Sequence, residues 1–132
     1  MKIKFDKVLD SGSPDDERLL FSVLEPCNLG NYVIALAKKK GENSISSELE
    51  NIKWLNDVEV KAQDIVVIYT HRQGDGVKKL QNNNDRSSYF QFWNLKDTLK
   101  SLNDYSIVCF ETTWSAIDVD IQTHQDTSSE GD

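Results

Sequence analysis

A chain of 132 residues fits one compact domain and is long enough to bury a hydrophobic core without a stabilising metal or disulfide. Its net charge is −7, but five of its 22 acidic residues lie in residues 118–132, which contain no Lys or Arg. The rest of the chain has 17 acids against 15 bases, a balance that argues against the basic face needed for general nucleic-acid binding.

The N-terminus and the cysteines bear on the cellular compartment. Residues 1–10 lack the long apolar run of a secretion signal, and no stretch approaches the roughly 18 apolar residues of a membrane span. We therefore predict a cytoplasmic protein with no membrane segment. In that reducing compartment Cys27 and Cys109 are expected to be free thiols.

In the first part of the chain, apolar residues alternate with polar ones, which is the period of a β-strand. Residues 3–9 are predicted to form a first strand, and residues 11–16 have the Ser, Gly, Pro and Asp composition of a turn. The strand that follows places Leu19, Phe21 and Val23 on one face.

The next segment, EPCNLGNY at residues 25–32, joins two apolar runs. Pro26 cannot donate a ladder hydrogen bond, so it ends the preceding strand. Gly30 and Asn31 are residues that tolerate a positive φ, which predicts a sharp turn before a new strand begins at Tyr32.

The middle of the chain is more polar. Residues 38–41, Lys-Lys-Lys-Gly, are expected to end the strand, and Ser47 with Glu50 has the spacing that caps a short helical turn. Residues 64–70, DIVVIYT, are the strongest strand candidate in the chain. Residues 71–88 are predicted to be a long polar loop.

The last third continues this pattern of short elements. Residues 89–95 are predicted to be a strand, residues 96–104 a turn or short helix, and residues 105–111 the last strong strand. Residues 115–121 are expected to add a short edge strand. After Ile121 the sequence is polar and acidic, a composition typical of disorder.

Six or more short strands with no long amphipathic helix predict an all-β domain, either a small sandwich or a small β-barrel. The domain is expected to span residues 1–121. Residues 122–132 are then a disordered acidic C-terminal tail.

Glu17 with the strand after it, then residues 25–26 and residues 28–32, resemble the entry segment of lamin-tail domains. The chain differs from the family pattern in having Glu before the Pro, Gly one position early, and Tyr in place of Trp. The resemblance implies an immunoglobulin-like β-sandwich that serves as a binding or structural module. It carries over no catalytic residue, because the family has no shared catalytic set.

Candidate catalytic and metal-binding side chains are few. The only histidines are His71 and His124, and no Cys or His pair has the spacing of a metal site, so we predict no metal and no cofactor. Cys109 with His71 is the nucleophile and base that a small hydrolase or transferase would need, and this pair is the enzymatic alternative. Cys109 lies in an apolar strand, where packing is its commoner role, so we expect a non-catalytic protein.

The predicted loop of residues 71–88 is locally basic. Its four bases are Arg72, Lys78, Lys79 and Arg86. We hypothesise that these bases attract an acidic protein partner, and that Tyr89 and Trp93 on the next strand supply an apolar anchor if their face is exposed. Otherwise that face packs in the core. A third alternative is a structural protein that buries the aromatic strip against its own copy as a homodimer.

Overall fold

The computed structural model describes residues 1–117. The predicted acidic tail, residues 122–132, lies outside the described residues, and so does most of the edge strand predicted at residues 115–121. The described part of that edge strand, residues 115–117, is not in a strand. About half of residues 1–117 are in β-strands, which confirms the predicted all-β class. No helix within these residues has the length and hydropathy to cross a membrane.

Ten strands follow one another along the described part of the chain. They are β1 (Ile3–Leu9), β2 (Arg18–Val23), β3 (Cys27–Asn28), β4 (Tyr32–Gly41), β5 (Ser44–Trp54), β6 (Glu59–Val60), β7 (Ile65–Tyr69), β8 (Lys78–Gln81), β9 (Ser87–Phe92) and β10 (Tyr105–Glu111). Short 3₁₀ segments occur at Leu29–Asn31, Asn83–Asp85 and Leu99–Leu102. The strands predicted from alternation, such as β1, β2, β7 and β10, form close to their expected bounds.

The strands make two main sheets. The larger has the order β1-β2-β7-β9-β8, and its neighbours are antiparallel except for the parallel pair β7 and β9. The smaller sheet has the order β10-β4-β5 and is antiparallel throughout, while β3 and β6 form a short ribbon. Side chains from both main sheets belong to one hydrophobic cluster, so the sandwich form of the prediction is confirmed.

The core residues follow the alternation seen in the sequence. Leu19, Phe21 and Val23 of β2 are buried as predicted, and Ile34 and Leu36 of β4 meet them from the smaller sheet. Burying each such side chain contributes about 1.5–3 kcal/mol to folding. This packing fixes which face of every strand points inward and therefore which side chains point away from the core.

Residues 44–54 form a strand rather than the predicted helical turn. β4 continues through residues 38–41, and β5 returns along it after a hairpin in which Asn43 has a φ of 60°. The helical turn capped by Ser47 and Glu50 is a wrong prediction. A cap stabilises one helical turn by about 1 kcal/mol, whereas β5 gains an antiparallel hydrogen-bond ladder along β4.

Residues 71–88 are not one continuous loop. β8 forms within them and pairs antiparallel with β9, which itself begins at Ser87. All four residues of β8 are exposed, so no apolar alternation marks this strand in the sequence. Two parts of this segment lie outside the strands, residues 71–77 before β8 and residues 82–86 after it, and we call the first of them loop 71–77.

Gly30 lies in a 3₁₀ segment and not in a turn of positive φ. Neither Gly30 nor Asn31 adopts the positive φ that these residue types tolerate, so the chain passes this point without it. The Asn28 side chain caps this segment by accepting a hydrogen bond from the Gly30 amide at 2.7 Å. Glycine is favoured here by space, because a Cβ atom would overlap the Asp57 carboxylate and displace it.

Candidate functional site

Tyr89 and Trp93, the predicted apolar anchors, are buried. Their side chains are 6% and 7% exposed and belong to the core cluster. The Trp93 indole N–H donates to the carbonyl oxygen of Asn51 at 2.7 Å, so its polar atom is also used inside the fold. The exposed face that both the anchor hypothesis and the homodimer alternative required is therefore not found at these two residues. The core-packing alternative is confirmed.

The opposite face of β9 carries Phe90 and Phe92, and it points away from the core. Parallel pairing with β7 places Tyr69 directly beside Phe92 and close to Phe90. The Tyr69 ring centroid is 5.8 Å from that of Phe92 and 6.2 Å from that of Phe90, with interplanar angles of 16° and 20°. Three nearly parallel aromatic rings thus lie together on this face of the larger sheet. Tyr69 and Phe90 are partly exposed, whereas Phe92 is 8% exposed and therefore buried.

Loop 71–77 runs along one side of these rings. The Arg72 guanidinium carbon is 5.0 Å from the centroid of the Tyr69 ring, within the range of a cation–π contact. Gly74 packs so closely on Phe92 that an added Cβ would lie 2.5 Å from a ring carbon. Asn94 holds the loop there by accepting from the Gly74 amide and donating to the Gly74 carbonyl, both at 3.0 Å.

A groove of about 540 Å³, open to solvent, lies between the loop and the rings. We call it the aromatic groove, and define it by Tyr69, Arg72, Gly74, Lys78, Phe90 and Phe92. Two cationic side chains line it against one acid, Asp75. Such a groove can bind a ligand that has an apolar side chain next to a negatively charged group.

Two of the four predicted bases line this groove and two do not. Arg72 and Lys78 are at its walls, and Lys78 pairs with Phe90 across the β8–β9 ladder. Lys79 is directed to the other side of the sheet, with its ammonium 5.6 Å from the centroid of the Tyr89 ring. Arg86 lines a separate hollow at the opposite end of the sheet. The structure therefore divides the basic cluster into a groove pair and an outlying pair.

Tyr69 is the groove residue that sequence reasoning missed. The signal was present, because Val66 and Ile68 alternate with their neighbours on a strand predicted to be strong. Once those two face the core, Tyr69 must face outward. The sequence could not predict that Phe92 lies beside Tyr69, because this contact depends on the pairing of β9 with β7.

The pKa shifts of the two thiols do not favour the enzymatic alternative. Cys27 and Cys109 are both half-buried free thiols, and burial raises the pKa of each. An activated nucleophilic thiol needs the opposite shift. His71 donates from Nδ1 to the carbonyl oxygen of Leu95 at 2.8 Å and so helps to hold loop 71–77. Within residues 1–117, no three Cys, His, Asp or Glu side chains group as a metal site.

No protein-family model matches this chain, and no curated protein is significantly similar to it. The resemblance to lamin-tail domains stays a prediction. Any assignment of function must therefore come from the geometry of the site itself.

Proposed function

We propose that this protein is a non-catalytic binding module that recognises an acidic segment of another protein at the aromatic groove. The observation that carries the proposal is the stacked pair of partly exposed rings, Tyr69 and Phe90, flanked by Arg72 and Lys78 and extended by the buried ring of Phe92. An apolar side chain of the partner packs on the rings. Its carboxylates pair with the two bases, as in interfaces where an aromatic anchor is bordered by complementary charge.

The edge of the larger sheet supports an extended partner. β8 is the last strand of that sheet in the described part of the chain, so its outer backbone edge has no partner strand there. An extended segment can add to such an edge through main-chain hydrogen bonds, with side-chain pockets giving specificity. Lys78 lies on this strand and also on the groove wall, so it would meet an acidic side chain of the added segment.

Charge favours a protein partner over nucleic acid. Flat rings can also stack on bases, but single-stranded nucleic-acid sites combine stacking with a strongly positive channel. Here Asp75 borders the two groove bases, and residues 1–117 have a net charge of −2. An oligonucleotide is accordingly the competing ligand that an experiment must include.

The two pairs of bases provide a matched test. Arg72→Ser with Lys78→Ser removes the groove pair, and Lys79→Ser with Arg86→Ser removes the outlying pair. Both double variants have the same net charge, so any general electrostatic attraction is weakened equally. Each is immobilised beside the wild type to capture partners from an extract of the host, and the captured protein is then titrated by calorimetry.

We expect removal of the groove pair to lower the partner affinity at least tenfold. Removal of the outlying pair should change the affinity less than twofold. Phe90→Ser should weaken binding without removing its salt dependence, since it deletes the apolar contact and leaves the charges. Equal loss of affinity in both double variants would contradict the proposal. So would tighter binding of a single-stranded oligonucleotide than of the captured protein.

A further inference from the structure

Two exposed tryptophans meet on the smaller sheet, away from the aromatic groove. Trp54 ends β5 and pairs with Val33 of β4, and Trp114 lies in the segment after β10. Their side chains are 49% and 65% exposed, yet their ring centroids are 5.4 Å apart with an interplanar angle of 82°. The two indoles therefore form the perpendicular walls of an open corner.

Gly30 holds one wall of this corner and one charge beside it. The Trp54 indole N–H donates to the Gly30 carbonyl oxygen at 2.6 Å, which fixes the orientation of that ring. The Asp57 carboxylate lies directly against the Gly30 Cα, in the space that a Cβ would occupy. Gly30 thus lies between the N–H edge of the Trp54 indole and the Asp57 carboxylate, and both of these residues line the same hollow.

The resulting hollow has a volume of about 340 Å³. We call it the tryptophan notch, and its lining residues are Trp54, Leu55, Asn56, Asp57 and Trp114. Among residues 1–117, Asp57 forms no ion pair. The nearby Lys53 does not neutralise it, because that ammonium is half-buried and donates to the Asn56 Oδ1 atom at 3.1 Å.

We propose that the tryptophan notch binds an organic cation, namely a quaternary or primary ammonium group. Indole faces attract cations more strongly than other aromatic rings do, and quaternary ammonium ligands are bound by such aromatic walls. An ammonium seated in the angle, about 4 Å from each ring plane, lies within about 6 Å of both centroids, which is the reach of a cation–π contact. The unpaired Asp57 supplies the counter-charge.

Choline and its neutral isostere 3,3-dimethylbutan-1-ol provide the decisive comparison, since they share size and shape and differ in charge. Tetramethylammonium tests whether the hydroxyl matters. Binding is followed by NMR of the indole N–H signals, and the buried Trp93 serves as an internal control. We expect saturable shifts of the Trp54 and Trp114 signals with choline, and at least tenfold weaker binding of the alcohol.

Four variants separate the site from general charge effects. Trp114→Ala and Asp57→Asn should each weaken choline binding at least fivefold. Gly30→Ala should weaken it as well, because the new methyl group displaces the Asp57 carboxylate. Glu59→Gln is the matched control, as it removes a neighbouring exposed acid outside the notch, and it should change the affinity less than twofold. Thermal melts check that each variant is folded.

Equal binding of choline and the neutral alcohol would overturn the proposal, since the site would then recognise shape alone. Equal weakening by Asp57→Asn and Glu59→Gln would also overturn it, as would the absence of any saturable shift. A neutral sugar that binds more tightly than choline would assign the notch to carbohydrate instead. None of these results bears on the aromatic groove, so the two proposals fail separately.

Discussion

Replacing the buried carboxylate of Glu17 should destabilise the fold in a graded way. Its Oε1 atom accepts hydrogen bonds from the Leu99 amide at 2.7 Å and from the Thr70 hydroxyl, and its Oε2 atom accepts from the Gly12 amide at 2.7 Å. The side chain is fully buried, so water cannot replace these bonds. One carboxylate therefore ties the turn before β2 to the end of β7 and to the 3₁₀ segment before β10.

The magnitudes follow from which donors lose their acceptor. Glu17→Gln keeps an oxygen for Thr70 and Leu99 but presents an amide N–H to the Gly12 N–H, so one charge-assisted hydrogen bond is lost, at about 1.5–3 kcal/mol. Glu17→Ala leaves the Gly12 and Leu99 amides unsatisfied at about 1–3 kcal/mol each, or about 4 kcal/mol in all, while the Thr70 hydroxyl keeps the Glu17 carbonyl oxygen as an acceptor at 3.3 Å. Since a domain of this size has a stability of about 5–15 kcal/mol, the alanine variant should be close to unfolding.

Urea denaturation followed by tryptophan fluorescence measures both free energies of unfolding. Glu25→Gln is the control, because Glu25 is exposed and the substitution changes the charge identically. Thr70→Val tests the same cluster from the other side, and its effect should not add to that of Glu17→Gln, since the two residues share a hydrogen bond. A cost for Glu17→Gln below about 0.5 kcal/mol, the size of an ordinary surface effect, would refute this reasoning.

Four further outcomes are expected. Gly74→Ala should cost about 1–3 kcal/mol by overpacking against the ring beneath it and should weaken partner binding. Gly76→Ala, with φ of 70° and open space around it, should cost about 1–2 kcal/mol through backbone strain and leave binding unchanged. Both are measured by urea denaturation and calorimetry. Burial raises the pKa of Tyr32 above its ordinary 10.0, so its contribution to stability is complete below pH 10 and is lost as the pH rises further. Tyr32→Phe should flatten that alkaline fall in a series of denaturation curves. Because burial raises both thiol pKa values, iodoacetamide at pH 8 should alkylate the native cysteines more slowly than those of the urea-unfolded chain, and a mass-spectrometric time course that shows equal rates would contradict this.

Local alternation was sufficient to predict the central strands. In β2 every second residue is large and apolar, so the inward face can be assigned without knowing the partner strand. β5 and β8 could not be found in this way. Ile45 and Ile52 of β5 are exposed, and β8 has no buried residue, so both strands exist because a neighbouring edge accepts their backbone hydrogen bonds. The residues of such a strand do not by themselves predict this pairing.

The candidate site could be located on the right strand but not on the right face. β9 carries aromatic residues on both faces, so period-2 alternation cannot decide which face is buried. A polar residue marks the inward face: Gln91 is fully buried and its side-chain oxygen accepts from the Asn56 amide at 2.8 Å. A hydrophobic pattern treats a glutamine as outward-facing. Its pairing with a backbone group 35 residues away reverses that inference.

In the segment at residues 25–32, Gly30 contributes both to the local fold and to the proposed tryptophan notch. Conformational freedom suggested a glycine for a positive φ, but Gly30 has an ordinary φ and is needed because two side chains approach its backbone. Its amide is capped by Asn28, which anchors the 3₁₀ segment, while its carbonyl orients Trp54. An added Cβ would overlap the Asp57 carboxylate, so any larger residue at this position has to displace that side chain. The close approach of Asp57, and not the backbone conformation, is therefore what favours glycine here.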